Sequence, residues 1–193
     1  MKERGQVAYF NHFILLGVIA GLVALLDFIG VITFPVGFFG VSSAFYIGAA
    51  FFTAFAIWFG LYGLLAIYIG LLIGAIIAGT FTIFAFVLAL GNVFGAAVPM
   101  IVFKKGNLNI ELKNTKDYIG YFISSTLGQS VLSGFWTIYG FSIFGIIPPE
   151  AINVALSGWV FGDIVVSLII GIPLLKLVSP VIKRTSLYKK KFL

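Results

Sequence analysis

Apolar runs long enough to cross a lipid bilayer occupy most of this chain: residues 10 to 31, 41 to 58, 62 to 79, 81 to 103, 117 to 147 and 151 to 178. A helix needs about 20 apolar residues to traverse a hydrocarbon core about 30 Å thick. That core holds no water to bond the backbone, so each run must satisfy its own amides by becoming a helix. The expected fold is all-α: a polytopic integral membrane protein with six transmembrane helices, forming a single transmembrane domain over 1–193 with a basic cytoplasmic tail from 179 to 193. Turn residues fall between the runs: Pro35 with Gly37 and Gly40, Gly60 with Gly63, Gly79-Thr80, the segment KKGNLNIELKNTK, and Pro148-Pro149. Composition agrees, with 61% of residues hydrophobic and 9% charged, against about 25% charged in soluble domains.

Charge supplies an independent reading of topology. With six helices and the N-terminus inside, all twelve Lys and Arg fall on the inner side: Lys2, Arg4, Lys104, Lys105, Lys113, Lys116, Lys183, Arg184, Lys189, Lys190 and Lys191, with Lys176 in the last turn of the sixth helix. This is a positive-inside pattern with both termini cytoplasmic. The second, third and fourth runs end and begin only two to four positions apart. Were one of those breaks a kink, the count would be five and the charge pattern would be lost. The first run is spanning length and lacks a small-residue cleavage site, so it is expected as a retained helix. The net charge of +6 is confined to helix ends and a tail, which points to membrane orientation and lipid contact, not to nucleic acid. The expected location is the cell membrane. With no cysteine and one histidine, His12, no metal site and no cofactor is expected.

Polar residues at depth are the candidates for function. Asp163 lies within the run SGWVFGDIVVSLIIGIPLLK, where a bare charge would cost from about 2.5 to more than 10 kcal/mol. Trp159, Asp163 and Ser167 share one face of that helix, with Asn153 nearer the outer end. In the fifth run Ser125, Gln129, Ser133 and Trp136 form a stripe, and Asn92 stands mid-way along the fourth between Gly91 and Gly95. With Tyr139, these residues read as a funnel from the outer surface, aromatic above and polar below, the usual make-up of a small-molecule pocket. The competing reading makes Trp136, Tyr139 and Trp159 interface aromatics, and Asn92, Gln129 and Asp163 mutual structural glue. No Lys or Arg is available on the outer side, whereas Asp163, and Asp27 or Glu150, can meet a cation. A small neutral or cationic organic solute fits better than an anion. No paired carboxylates share a helix face and no HExxH or GxSxG motif is present, so an enzyme is not expected.

Small residues four apart let helices approach closely. Gly17 and Gly21 overlap Ala20 and Ala24 in the first run, and Gly70 and Gly74 recur in the third. They mark either packing within the bundle or docking to another membrane subunit.

The stretch FPVGFFGVSSAFYIGAAFFTAFAIWFGLYGLLAIYIGLLIGAIIAG, with a fourth helix ending NVFGAAVPM, resembles the substrate-binding S components of energy-coupling factor transporters. Residues 59 to 63, FGLYG, match an FG-x-x-G turn of that family, and the Ala20 and Ala24 pair resembles its subunit-docking motif. The resemblance implies capture of a vitamin-like micronutrient by the outer halves of helices four to six, with ITFPVGFFG as a lid, and a T subunit with two ATPases as partners. The pattern Trp159 to Asp163 also resembles membrane-embedded sensory domains of signalling proteins. The expected function is thus a solute-binding subunit of an importer; a sensory receptor domain, or a structural membrane protein without ligand, are the alternatives.

Overall fold

The structure is a computed structural model describing residues 2–33, 45–190 and 192, with side chains for 12–30, 45–190 and 192. The Pro35 break and most of the expected lid lie outside the described residues. Helix α1 spans Lys2–Thr33, α2 Gly48–Phe59, α3 Leu61–Ile77 and α4 Ile83–Lys105. Helix α5, Thr115–Tyr121, runs through a π-helical stretch, Phe122–Gly128, into α6, Gln129–Ile143. A 3₁₀ turn at Pro149–Ala151 opens α7, Ile152–Val166, which passes through a second π stretch, Ser167–Gly171, into α8, Ile172–Ile182. No strand occurs among the described residues, and the all-α expectation holds.

Among the described residues three helical stretches are fit by length and composition to cross a membrane: His12–Gly30, Ile83–Lys105 and the continuous Pro149–Ile182. Such helices mark a membrane protein. Helices α2 and α3 are equally apolar but shorter, 12 and 17 residues. Large apolar side chains such as Phe13, Val18, Leu25, Phe161, Ile169 and Leu177 point outward. In water that surface would drive aggregation; in hydrocarbon it costs nothing.

Helix α2 is the centre of the bundle. It is apolar on every side, which is the pattern of a helix surrounded by others. All of it is buried except Phe51, against α1, α3, α4 and α8. The turn into α3 is sharp because Gly60 takes φ 63°, a left-handed conformation that a Cβ disfavours. Gly63 then lets the start of α3 rest against the Phe55 carbonyl.

Helices α1 and α3 form the closest pair. A Cβ on Gly70 would stand 2.5 Å from Val23 Cβ and 2.6 Å from the Ala20 carbonyl oxygen. The small residues of α1 therefore divide into two groups. Ala20 and Ala24 are buried within the bundle, so these two do not offer a docking face, whereas Gly17 and Gly21 look out on open space. The reason is helical geometry: the two sets lie on neighbouring stripes, and only one can face α3.

The described basic residues gather at one end. There the C-terminal segment folds back over the α2–α3 turn, with the Lys189 amide donating to the Trp58 carbonyl at 2.9 Å and the Leu61 amide to the Phe192 carbonyl at 3.0 Å. The basic segment begins only after α8 ends at Ile182, and it covers protein where charge alone suggested lipid. Trp58 Nε1 donates to Ser179 Oγ at 2.8 Å, and that hydroxyl donates to the Ile110 carbonyl at 3.1 Å. Glu111 pairs with Lys113 at 2.8 Å and Lys183 at 2.7 Å. Hydrogen bonds from Lys113 and then Lys183 hold its carboxyl below the usual glutamate range.

Two outcomes follow for stability, read as thermal unfolding in detergent. Gly70→Leu is expected to destabilise by about 1–3 kcal/mol through overpacking against α1, while Gly17→Leu leaves the melting temperature unchanged; equal effects would refute this division of α1. Because the Glu111 carboxyl is depressed, its pairs stabilise above its ordinary value of 4.5 and that contribution is lost as pH falls through the lowered value. The small advantage of the wild type over Glu111→Gln at neutral pH should vanish in acid.

Candidate functional site

Midway along the bundle, α6 and α7 bring polar groups together where lipid cannot reach. Gly134 on α6 makes the room: a Cβ there would meet Trp159 Cδ1 at 2.9 Å. The Trp159 indole lies across this gap and donates from Nε1 to Ser133 Oγ at 3.2 Å. The same hydroxyl sits 3.5 Å from Asp163 Oδ2 and 3.4 Å from the Ser130 carbonyl, two long contacts that share one proton. Asp163 is 4% exposed, and Ser133, Trp159 and Asp163 thus form one cluster.

A second polar contact faces away from it. Gln129 accepts a hydrogen bond from Thr53 Oγ1 and donates from Nε2 to the Ala49 carbonyl at 2.9 Å, all buried. The stripe on α6 is therefore split. Gln129 ties α6 to the central helix α2, and Ser133 turns to α7. The two do not meet through Asp163, because each amide and hydroxyl takes the nearest neighbouring helix.

The other expected residues stand further out. Trp136 is 38% exposed, and its Nε1 donates to the Val87 carbonyl at 2.8 Å, with the indole edge where a Cβ on Gly91 would be. Tyr139 is 37% exposed and stacks on Phe135 at 4.2 Å. Asn153 is exposed, its carbonyl accepting from Ser157 Oγ at 2.7 Å. Asn92 is half-buried and makes no hydrogen bond among the described residues.

Sequence reasoning missed Tyr46 and Thr53 and gave Asp27 little weight. The Tyr46 hydroxyl donates to Asp27 Oδ1 at 2.9 Å, and its ring fills the space left by Gly30 and Gly48. Gly74 makes room for the carboxylate, since a Cβ there would meet Asp27 Oδ2 at 2.5 Å. The described lysines and the arginine lie towards the opposite end, round the α2–α3 turn and the loop after α4. An aspartate in an apolar helix demands a donor nearby; that demand was the signal for Tyr46.

Several buried hydroxyls have no partner among the described residues: Ser125, Thr126, Ser130 and Thr137 on the α5–α6 rod, and Ser167 one turn from Asp163. Such groups are uncommon in folded proteins and ask for an occupant. Ser125 and Thr126 lie in one π stretch, Ser167 opens the other, and Tyr121 bridges them by donating to the Ser167 carbonyl at 2.7 Å. Chemically, the arrangement offers acceptors, hydroxyls and an indole face for a small hydrogen-bonding or cationic molecule. In comparisons with protein-family models, curated proteins and solved structures, nothing matches this chain.

Gln129→Leu should destabilise by about 1–3 kcal/mol, because Thr53 and the Ala49 carbonyl lose a buried partner. A cycle with Thr53→Val, read by unfolding in detergent, is expected to give a coupling of about 0.6–1.7 kcal/mol. Additive effects would mean that the side chains do not interact.

Proposed function

We propose that this chain is a six-helix membrane protein, with both termini on the basic, cytoplasmic side, that captures a small neutral or cationic organic solute from the opposite side. Its role would be that of a substrate-binding S component in an energy-coupling factor type importer of a micronutrient. The observation that carries the binding proposal is the cluster of Asp163, Ser133 and Trp159, with unpaired hydroxyls beside it. A carboxylate buried with only a serine hydroxyl at 3.5 Å and the Trp159 indole beside it is costly unless something else meets it. The Asp27–Tyr46 pair adds acceptor character, and the gathering of basic residues at the far end leaves negative charge to dominate here. The importer half of the proposal is supported by the FGLYG turn and the small residues of α1. Gly17 and Gly21 are the pair free to meet a T subunit, and the ATPases would act through that subunit.

The test is identification by mass spectrometry of a small molecule that co-purifies with the protein, followed by binding measurements with that compound. Asp163→Asn is expected to weaken a cationic solute by at least about tenfold, the worth of a hydrogen bond to a charged group. Gly17→Leu should bind normally but fail to retain a co-expressed T subunit. Unchanged affinity in both Asp163→Asn and Trp159→Phe would sink the site, and normal T-subunit retention in Gly17→Leu would sink the docking face.

A further inference from the structure

At the basic end a cavity of about 380 Å³ opens between the end of α2, the end of α4, the loop that follows it and the C-terminal segment. Ile57 and Phe103 form apolar wall, and Lys104, Asn107, Tyr188 and Lys190 bring polar groups to it. The charges here do not balance. Lys104 Nζ donates to the Ile57 carbonyl at 3.1 Å and to the Lys189 carbonyl, both neutral acceptors that leave its charge uncompensated. Lys190 is exposed and has no ion pair among the described residues. The nearby acids are engaged elsewhere: Glu111 by Lys113 and Lys183, and Asp117 by the backbone amides of Asn109 and Asn114, each at 2.9 Å. Neither lines the cavity.

We propose that this cavity binds a phosphate-bearing anion, with Lys104 and Lys190 supplying charge and Asn107 and Tyr188 supplying hydrogen bonds. Ammonium groups bind phosphate as point charges, and amide and phenol donors fix its oxygens. Burial, and then the charge of Glu111, raise the Tyr188 phenol above its usual value, so it stays a donor at neutral pH. The volume lies within the range of about 300–1,000 Å³ typical of ligand pockets, enough for a phosphate with a glycerol or sugar attached. The apolar wall at Ile57 and Phe103 accepts the part that carries no charge. Two sources share this chemistry: the headgroup of an anionic phospholipid and a soluble phosphate ester. The C-terminal segment is one wall of the cavity, so an occupant would also fasten that segment to the α2–α3 turn through Lys189, whose ammonium lies 5.4 Å over the Tyr62 ring.

The experiment uses the full chain in nanodiscs of phosphatidylcholine, alone, with phosphatidylglycerol, or with soluble glycerol phosphate added. Thermal unfolding and native mass spectrometry are the readouts. One of the two phosphate probes should raise the melting temperature and remain bound on desorption. Lys190→Gln should weaken that binding by about fivefold, the effect of roughly 1 kcal/mol per lysine near an anionic surface. Tyr188→Phe should weaken it as well. Lys105→Gln, an equal charge change outside the cavity, should leave it intact. Retention of phosphatidylglycerol but not of glycerol phosphate assigns a lipid headgroup, and the reverse assigns a soluble anion. No response to either probe, or equal weakening in Lys105→Gln and Lys190→Gln, overturns the proposal.

Discussion

The fold depends on the absence of water as a hydrogen-bond partner in hydrocarbon. Every polar group placed at depth must then be answered by another part of the chain. This condition explains why so apolar a helix as α2 is the hub. Most of its side chains ask only for space, while its carbonyl at Ala49 accepts from the Gln129 amide and its single hydroxyl, at Thr53, donates to that amide's oxygen. The remaining helices close round it, joined less by attraction between apolar faces than by small residues that permit close approach.

The same condition separates structural from functional polarity. Gln129 is fully answered, and it behaves as an anchor. Asp163 is answered only by Ser133, at 3.5 Å, and the Trp159 indole, and the hydroxyl of Ser167 has no partner among the described residues. Asp27 lies between these cases, since Tyr46 meets one of its oxygens. Both π stretches occur in the rods that carry the poorly answered groups. A π turn widens the helix and disturbs its regular bonding, and such bulges are frequent where helices bind ligands.

The helices were legible because apolar runs and turn residues act locally. The FGLYG turn could be read from Gly60 and Gly63, and Asp163 stood out by cost alone. Partners were harder. Helical spacing puts Ser125, Gln129, Ser133 and Trp136 on one stripe, but it does not say which neighbour each will meet, and the stripe divides between α2, α4 and α7. Small residues in α1 announced a close approach without naming the helix approached. Tyr46 escaped notice because a tyrosine at the edge of an apolar run looks like an interface residue. Its role depends on Asp27, 19 positions earlier. The C-terminal segment was read from its charge, but its course is set by backbone bonds, to which charge is blind.

Those bonds have a bearing on how the protein is made. The carbonyl of Trp58 and the amide of Leu61 sit at the tip of a helical hairpin made early, yet their partners at Lys189 and Phe192 are synthesised after every described helix. Until then these two backbone groups lack their partners from the C-terminal segment. The packing round the central helix is thus completed by a segment made after the helices it joins.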